Sequence, residues 1–355
     1  DVGMKHPCIA MHDYMASARC VLSRIHASSS SKRMHSGLSM QVDRPFLLLM
    51  MGNRAFVPFV QSWLCNTAHM DGVHERTLLL FTDEGQKDLQ SIDYRVAHVG
   101  GVNVNISNEL SGGMKYGTYG YWRLVQLRVH VVASLLRAGI PFLLCEPDAL
   151  WVQNPLHDPA LQSTAEMVYF SDNGEIPGFG FMRLWPTPKV VSIFTALEMK
   201  FGRQMPSPLT RVNTEIVVTP EQDLLYGLIM RHGMSDRIER LRATKYVSGT
   251  WYALETIHHG SLEIHGDQVR SACQADGMPY VINNNWIYGN EAKIARAKRW
   301  GHWFLQNESA GTCRNSSALR REIAKAELKK ELASEMMGEL TDALWDMGVR
   351  KSRQL

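Results

Sequence analysis

The sequence predicts an α/β protein: a doubly wound, mostly parallel central sheet with flanking helices, followed by a long C-terminal helix. Three observations carry that expectation. First, short apolar runs alternate with segments whose apolar residues recur at helical spacing, the order that builds parallel strands joined by crossover helices. Second, the runs Pro45–Met51 and Ile140–Cys145 are apolar throughout, as strands covered on both faces are. Third, a chain of 355 residues that is 45% hydrophobic suits one large domain with appendages better than two equal ones.

Taken in order, Ile9 to His26 carries apolar side chains at helical intervals, and the polar tract Ser28-Ser29-Ser30-Ser31-Lys32-Arg33 predicts a flexible linker after it. Residues 1–44 are thus expected to be an N-terminal helix and Ser-rich linker. Pro45–Met51 is a first strand and Gly52-Asn53-Arg54 a turn. Phe56, Val57, Phe59, Val60, Trp63 and Leu64 then mark a helix. Arg76–Glu84 and Tyr94–Val99 supply two further strands. A helix with Leu124, Leu127, Val131, Ser134 and Leu135 on one stripe stops at Gly139, a residue suited to the left-handed conformation that ends helices.

The chain is organised around the stretch Arg137–Pro155. A strand, Ile140–Cys145, runs directly into Glu146-Pro147-Asp148, then Trp151 and the stop Asn154-Pro155. Two carboxylates at the carboxyl end of a buried strand lie where open α/β sheets place ligands, and their hard oxygens suit Mg²⁺ or Mn²⁺ carrying a diphosphate. Asn53, Arg54 and Asp83, at the ends of the first two strands, fall where a nucleotide's base and ribose would lie, although Asn and Asp are also ordinary turn residues. Gly112–Tyr121 mixes glycine with aromatic rings, Tyr121 among them. It reads either as a nucleobase-stacking segment or as a surface loop anchored by its rings. Ala165–Phe170 and Pro177–Leu184 are strands, and Pro188–Phe201 is a helix. Thr219-Pro220-Glu221-Gln222-Asp223 reads as a helix start, with Thr219 as its cap. From Tyr246 to Gly277 periodicity is poor, and His258, His259 and His265 lack metal spacing. Beyond Ser316, Leu328, Leu332, Met336, Leu340 and Leu344 recur every fourth residue, an amphipathic helix of roughly 45 Å whose stripe must cover the domain, a partner or a second copy of the chain.

Helix, glycine, apolar strand, acid-x-acid, Trp and Asn-Pro in one line resemble the nucleotide-diphospho-sugar transferases, glycosyltransferases of the GT-A fold that include plant and algal xylosyl-, galactosyl- and arabinosyltransferases. Asn283-Asn284-Asn285-Trp286, Gly289, Lys293 and Gly301-His302-Trp303 resemble that family's late His-x-Asn-Trp segment and its Gly-x-Trp close. Gly180-Phe181 matches its Asn-Ser-Gly-Phe strand, where Gly178-Phe179 departs. The resemblance implies a catalytic domain over 45–305, a C-terminal helix over 306–355, and a sugar moved from a UDP-sugar to a glycan or glycoprotein acceptor with retention. It implies Asp148, Glu146 and Asn283 as metal ligands, Glu146 replacing the usual Asp and Asn283 the usual His. Arg123 or Arg128 would face the donor diphosphate, Glu221 and Gln222 would head a helix into the site, and Lys293 would stabilise the leaving diphosphate. A catalytically silent glycan- or nucleotide-binding protein is the rival reading, motivated by Glu146 and Asn283. A sugar nucleotidyltransferase lacks its glycine-rich signature near the first strand.

A formal net charge of +3 with mixed signs, and no long basic run, do not point to a nucleic-acid partner, and none is expected. No run reaches the roughly 20 apolar residues of a membrane span, so membrane attachment is expected only through an anchor absent from this chain. Six cysteines, without zinc spacing, read either as a few disulfides in a secretory lumen or as free buried thiols, and sequons at Asn105, Asn307 and Asn315 lean toward the secretory pathway, as the ectodomain of a type II Golgi protein. Cys145 is expected to stay reduced, since its strand leaves no room to reach a partner.

Overall fold

A computed structural model describes residues 14–36, 45–83, 85–89, 97–99, 112–207, 209–254, 257–259, 262–308 and 311–314. Helix α1, Tyr14–Ser36, comes first. Ala18, Val21 and Ile25, three and four residues apart, are buried in the core of the main sheet. The helix runs on through Ser28–Arg33, correcting the predicted linker. Once a packed turn has nucleated a helix, adding serine costs less than about 0.7 kcal/mol per residue relative to alanine.

Strand β1 (Leu47–Gly52) leads through a turn into α2 (Val57–Thr67). The short helix α3 (Val73–Arg76) precedes β2 (Thr77–Phe81), and α4 (Gly85–Asp88) follows it. Next come β3 (Ala97–Val99), α5 (Tyr119–Arg137), β4 (Phe142–Cys145) and β5 (Leu150–Trp151). The hairpin of β6 (Met167–Asn173) and β7 (Ile176–Leu184) is followed by α6 (Pro188–Gln204), α7 (Glu221–Arg231) and β8 (Ile238–Arg240). The segment of poor periodicity holds β9 (Tyr246–Val247), a hairpin of β10 (Ile257–His259) and β11 (Leu262–Ile264), and α8 (Gly266–Ala275). Strand β12 (Val281–Ile282) and helix α9 (Asn290–Arg299) close the part that builds the site.

The main sheet has the order β3-β2-β1-β4-β7-β6-β8. Its strands run parallel except β7, which is antiparallel to both neighbours. Alternation along the strands divides the core. Leu47, Leu49, Phe142 and Leu144 face one layer with Val131, Leu135, Val190 and Ile193, while Leu48, Met50, Leu143 and Cys145 face another with Val60 and Trp63. Both faces are covered, which is why β1 and β4 read as unbroken apolar runs; each such side chain contributes about 1.5–3 kcal/mol. Chain order reverses between β1 and β4, with β2 beyond one and β7 beyond the other, and sheets of this kind bind ligands at such a point.

A second sheet, β5-β12-β9, braces the end of β4. The Asn66 side chain clamps β5 from α2, accepting from the Trp151 amide at 2.9 Å and donating to the Trp151 carbonyl at 3.0 Å. Trp151 itself is a core anchor, packed edge-on against Trp63 at 5.2 Å. Cys145 and Cys273 are free and buried, as expected for Cys145. Cys20, Cys65 and Cys313 are disulfide-bonded. Among the described residues no helix is long and apolar enough to cross a membrane. The chain divides into two compact units, 1–312 and 313–355, and the predicted C-terminal helix lies outside the described residues.

Candidate functional site

Where β4 ends, the Glu146 amide donates to the Gly180 carbonyl of β7 at 3.0 Å, and the chain turns through Pro147 and Asp148 into β5. Gly180 leaves a hollow there: a Cβ would lie 2.3 Å from Asn283 Nδ2 and 2.7 Å from Glu146 Oε2. Gly180→Ala should therefore push Asn283 and Glu146 apart and cost about 1–3 kcal/mol by overpacking. Urea unfolding of that variant checks it; an unchanged midpoint would mean the hollow is not needed.

Pairing of β12 with β5 and β9 delivers Asn283 to this hollow, its amide donating to the Val247 carbonyl at 2.7 Å. Asn283 Nδ2 donates to Glu146 Oε2 at 3.3 Å, while Oδ1 is buried without a partner. A buried oxygen left unpaired calls for a donor or a cation. Among the described residues no three His, Cys, Asp or Glu side chains gather into a metal cluster. Two carboxylates and one orphan amide oxygen are nevertheless donors of the kind that hold a hard divalent ion together with substrate phosphates.

Each acid is also held by a protein cation. Arg128, on α5, donates from Nη1 to Glu146 Oε1 at 2.9 Å and from Nη2 to Glu221 Oε1 at 2.7 Å. Its guanidinium lies over the Phe179 ring at 5.2 Å. Arg123 is five residues away, about 140° around the helix, and instead donates to Gln126 on the same helix. Glu221 is the first residue of α7, and its side chain is only 5% exposed. Burial raises its pKa, opposed by the Arg128 charge. Pro220, not Thr219, is the helix-capping residue, and it makes no side-chain cap bond. Gln222 follows, half-buried. Tyr121 lies against the same cluster, its hydroxyl pushed up by burial and then by Glu221.

Lys293, one turn into α9, donates from Nζ to Asp148 Oδ2 at 2.5 Å, with the Asp148 side chain 2% exposed. Burial lowers the Lys293 pKa, but Asp148 and Glu146 outweigh it and the net shift is upward. The turn is fixed from behind: Asn284 Nδ2 donates to the Lys293 carbonyl at 3.1 Å, and Arg296 Nε donates to Asn284 Oδ1 at 2.8 Å. Arg296 in turn lies 4.6 Å over the Tyr252 ring. Sequence reasoning missed Asn284 and Arg296. Their signal was the helical spacing that sets Arg296 three residues after Lys293.

The residues expected on the nucleoside side are engaged in the turns after β1 and β2. Asn53 Oδ1 accepts from the Ala55 amide at 3.1 Å and its Nδ2 donates to the Gly112 carbonyl at 3.1 Å. Asp83 accepts from the Arg54 amide at 2.8 Å and the Gly85 amide at 2.9 Å, and the Arg54 side chain pairs with Asp88. These bonds fix the turns that follow β1 and β2.

A family model for nucleotide-diphospho-sugar transferases matches residues 93–297. No protein of curated function matches the sequence. Among solved structures, the galactosyltransferase LgtC, in complex with donor and acceptor sugar analogues, is 10% identical with a TM-score of 0.42, covering 71% of this chain and 95% of that one. Mouse xyloside xylosyltransferase 1 is 12% identical with a TM-score of 0.41, covering 68% of this chain and 98% of that one. The bifunctional glycosyltransferase WbbM is 8% identical with a TM-score of 0.41, and there the match covers 69% of this chain but only 46% of the other.

Proposed function

The chain belongs to the nucleotide-diphospho-sugar transferase family, a glycosyltransferase family, and from that premise we propose that it moves a sugar from a UDP-sugar to a glycan or glycoprotein acceptor, with retention, in a divalent-cation-dependent reaction. The observation that carries this reading is the pair Glu146 and Asp148 at the carboxyl end of β4, each engaged by a protein cation. Residues 45–305 form the catalytic domain. Glu146, Asp148 and Asn283 Oδ1 would hold Mn²⁺ or Mg²⁺, which when bound supplies positive charge against the leaving diphosphate.

The chain's own residues do the rest. Lys293 presents an ammonium to the diphosphate, stabilising charge as it develops on UDP. Arg128 neutralises Glu146 and Glu221 together and so fixes the spacing between the donor side and the head of α7. Glu221 and Gln222 border the transferred sugar, Tyr121 lines the wall between, and Asn53, Arg54 and Asp83 border the nucleoside. The disulfide-bonded cysteines support a secretory, Golgi-lumenal setting, because such bonds persist in oxidising compartments.

UDP and free sugar released from a panel of UDP-sugars, with Mn²⁺, Mg²⁺ or chelator, test the reading. UDP binding with no sugar released from any donor would favour the silent binding protein, the reading that Glu146 and Asn283 motivate. Asn283→His supplies a second test. An imidazole in place of an amide should tighten Mn²⁺ in the UDP complex about fivefold, roughly 1 kcal/mol, and sharpen the preference for Mn²⁺ over Mg²⁺. Titration calorimetry with unchanged Mn²⁺ affinity would place Asn283 outside the cation's reach.

A further inference from the structure

We propose that Asn290 is a positioning residue for the donor: it fixes the distance between the turn after β1 and the Lys293 ammonium, so that the nucleoside and the diphosphate of one ligand are recognised together. The inference rests on the nucleotide-sugar reading and deepens it.

Asn290 opens α9, three residues before Lys293. An asparagine at the start of a helix ordinarily caps it, its side-chain oxygen accepting from an amide two or three residues on. Here the cap position belongs to Gly289, which has no side chain, and Asn290 reaches out of its own helix. Its Nδ2 donates to the Ala55 carbonyl at 2.9 Å, across 235 residues of chain. Helix formation alone does not call for such a bond.

The far end of the bond is the rim assigned to the nucleoside. The Ala55 amide donates to Asn53 Oδ1 at 3.1 Å, so asparagine side chains hold this residue through both its amide and its carbonyl. Asn53 Nδ2 donates in turn to the Gly112 carbonyl at 3.1 Å, and a Cβ on the neighbouring Gly113 would lie 3.7 Å from Asn290 Nδ2, in ordinary contact. Asn53 and Asn290 therefore grip the same two segments. The rim itself is stiff. Asp83 accepts from the Arg54 and Gly85 amides, and a Cβ on Gly85 would lie 2.9 Å from Arg54 Cα, which brings the turns after β1 and β2 into backbone contact.

The near end is equally fixed. The Lys293 amide donates to the Gly289 carbonyl at 3.1 Å, and its carbonyl accepts from Asn284. Arg296 holds Asn284 through Nε, and the Asn285 carbonyl through Nη2 at 2.5 Å. Helix α9 is thus tied to the rim at its first residue and to the segment after β12 at Lys293 and beyond. A nucleoside diphosphate must meet the rim and Lys293 at one spacing. Because a single helical turn and one hydrogen bond join the two, that spacing is set before the ligand arrives, which lowers the ordering cost of binding. A ligand that touches only one end gains nothing from it.

Titration calorimetry on the whole chain with Mn²⁺ and, in turn, UDP, UMP and inorganic pyrophosphate tests this. Asn290→Ala, which keeps a good helix former in the first turn, should weaken UDP about three- to tenfold and leave UMP and pyrophosphate each within about twofold of the parent. Lys293→Met should cost a smaller factor in UDP affinity on the Asn290→Ala background than in the parent, because the two residues act on one ligand together. Equal losses for all three ligands, an unchanged UDP affinity, or a Lys293→Met effect that is the same on both backgrounds would overturn the positioning role. A parent that binds no UDP would overturn the nucleotide-sugar reading and the inference with it. The expected pattern without sugar transfer from any donor would sustain the inference and overturn the transferase reading alone.

Discussion

Asp148→Ala is expected to lose at least about 100-fold in kcat/KM for sugar transfer, since outer-shell partners of a metal ligand already cost 10- to 100-fold. Two consequences of the structure act together. The substitution removes a carboxylate proposed to face the cation, and it strips Lys293 of the group that positions its ammonium at 2.5 Å. The Lys293 pKa shows the second effect. Burial pulls it down and Asp148 and Glu146 pull it up, so its folded value lies above the unfolded one. Stability from such a pair is complete below the unfolded lysine value, near 10.4, and is lost only as pH rises through the folded value. At neutral pH the pair is therefore fully formed in the parent. In Asp148→Ala the burial effect is less opposed, and the ammonium loses part of its advantage. Asp148→Asn separates the two contributions, because it keeps volume and one oxygen but not the charge. Steady-state kinetics with the preferred UDP-sugar, and UDP titrations with and without Mn²⁺, measure both. Near-parental turnover in Asp148→Ala would remove the centre of the proposed mechanism.

The strands that carry the site were readable because their physics is local. β1 and β4 are covered on both faces, so burial wrote itself into the sequence as unbroken apolar runs. Gly139, with φ 74°, stops α5 as its left-handed preference predicts. That Arg128 rather than Arg123 reaches Glu146 was also latent in the sequence: Arg128 lies four residues after Leu124 and three before Val131, inside the apolar stripe. What the sequence could not display are contacts made across the fold. Lys293 meets Asp148 over a separation of 145 residues, and Gly180 matters for what β12 brings beside it rather than for its own turn. The serine tract misled for a related reason, since tertiary packing of Ala18, Val21 and Ile25 sustains a helix that local propensity leaves marginal.

Arg128→Leu is expected to destabilise the protein by about 3–5 kcal/mol at pH 8, because it leaves Glu221 buried with its charge uncompensated. Glu146, the other carboxylate on Arg128, is 31% exposed and can recruit water, whereas Glu221 at 5% cannot. The deficit should depend on pH with a definite sign. Burial already holds the Glu221 pKa above its unfolded value, and Arg128 is the main influence opposing that rise. Without Arg128 the folded pKa climbs further. A group raised in this way favours the folded state below its unfolded pKa, near 4.3, and loses that contribution as pH rises through the folded value. The variant should therefore recover toward the parent on going from pH 8 to pH 5, as Glu221 takes up a proton and buries no charge. Glu221→Gln added to Arg128→Leu should restore at least half of the loss at pH 8, since neither buried group is then ionised, and the two substitutions should be strongly non-additive. Urea unfolding of the parent, both single variants and the double variant at pH 5 and pH 8 measures all of this. A deficit equal at both pH values, or one that Glu221→Gln leaves untouched, would mean that Arg128 stabilises through its stacking on Phe179 and not through the carboxylate at the head of α7.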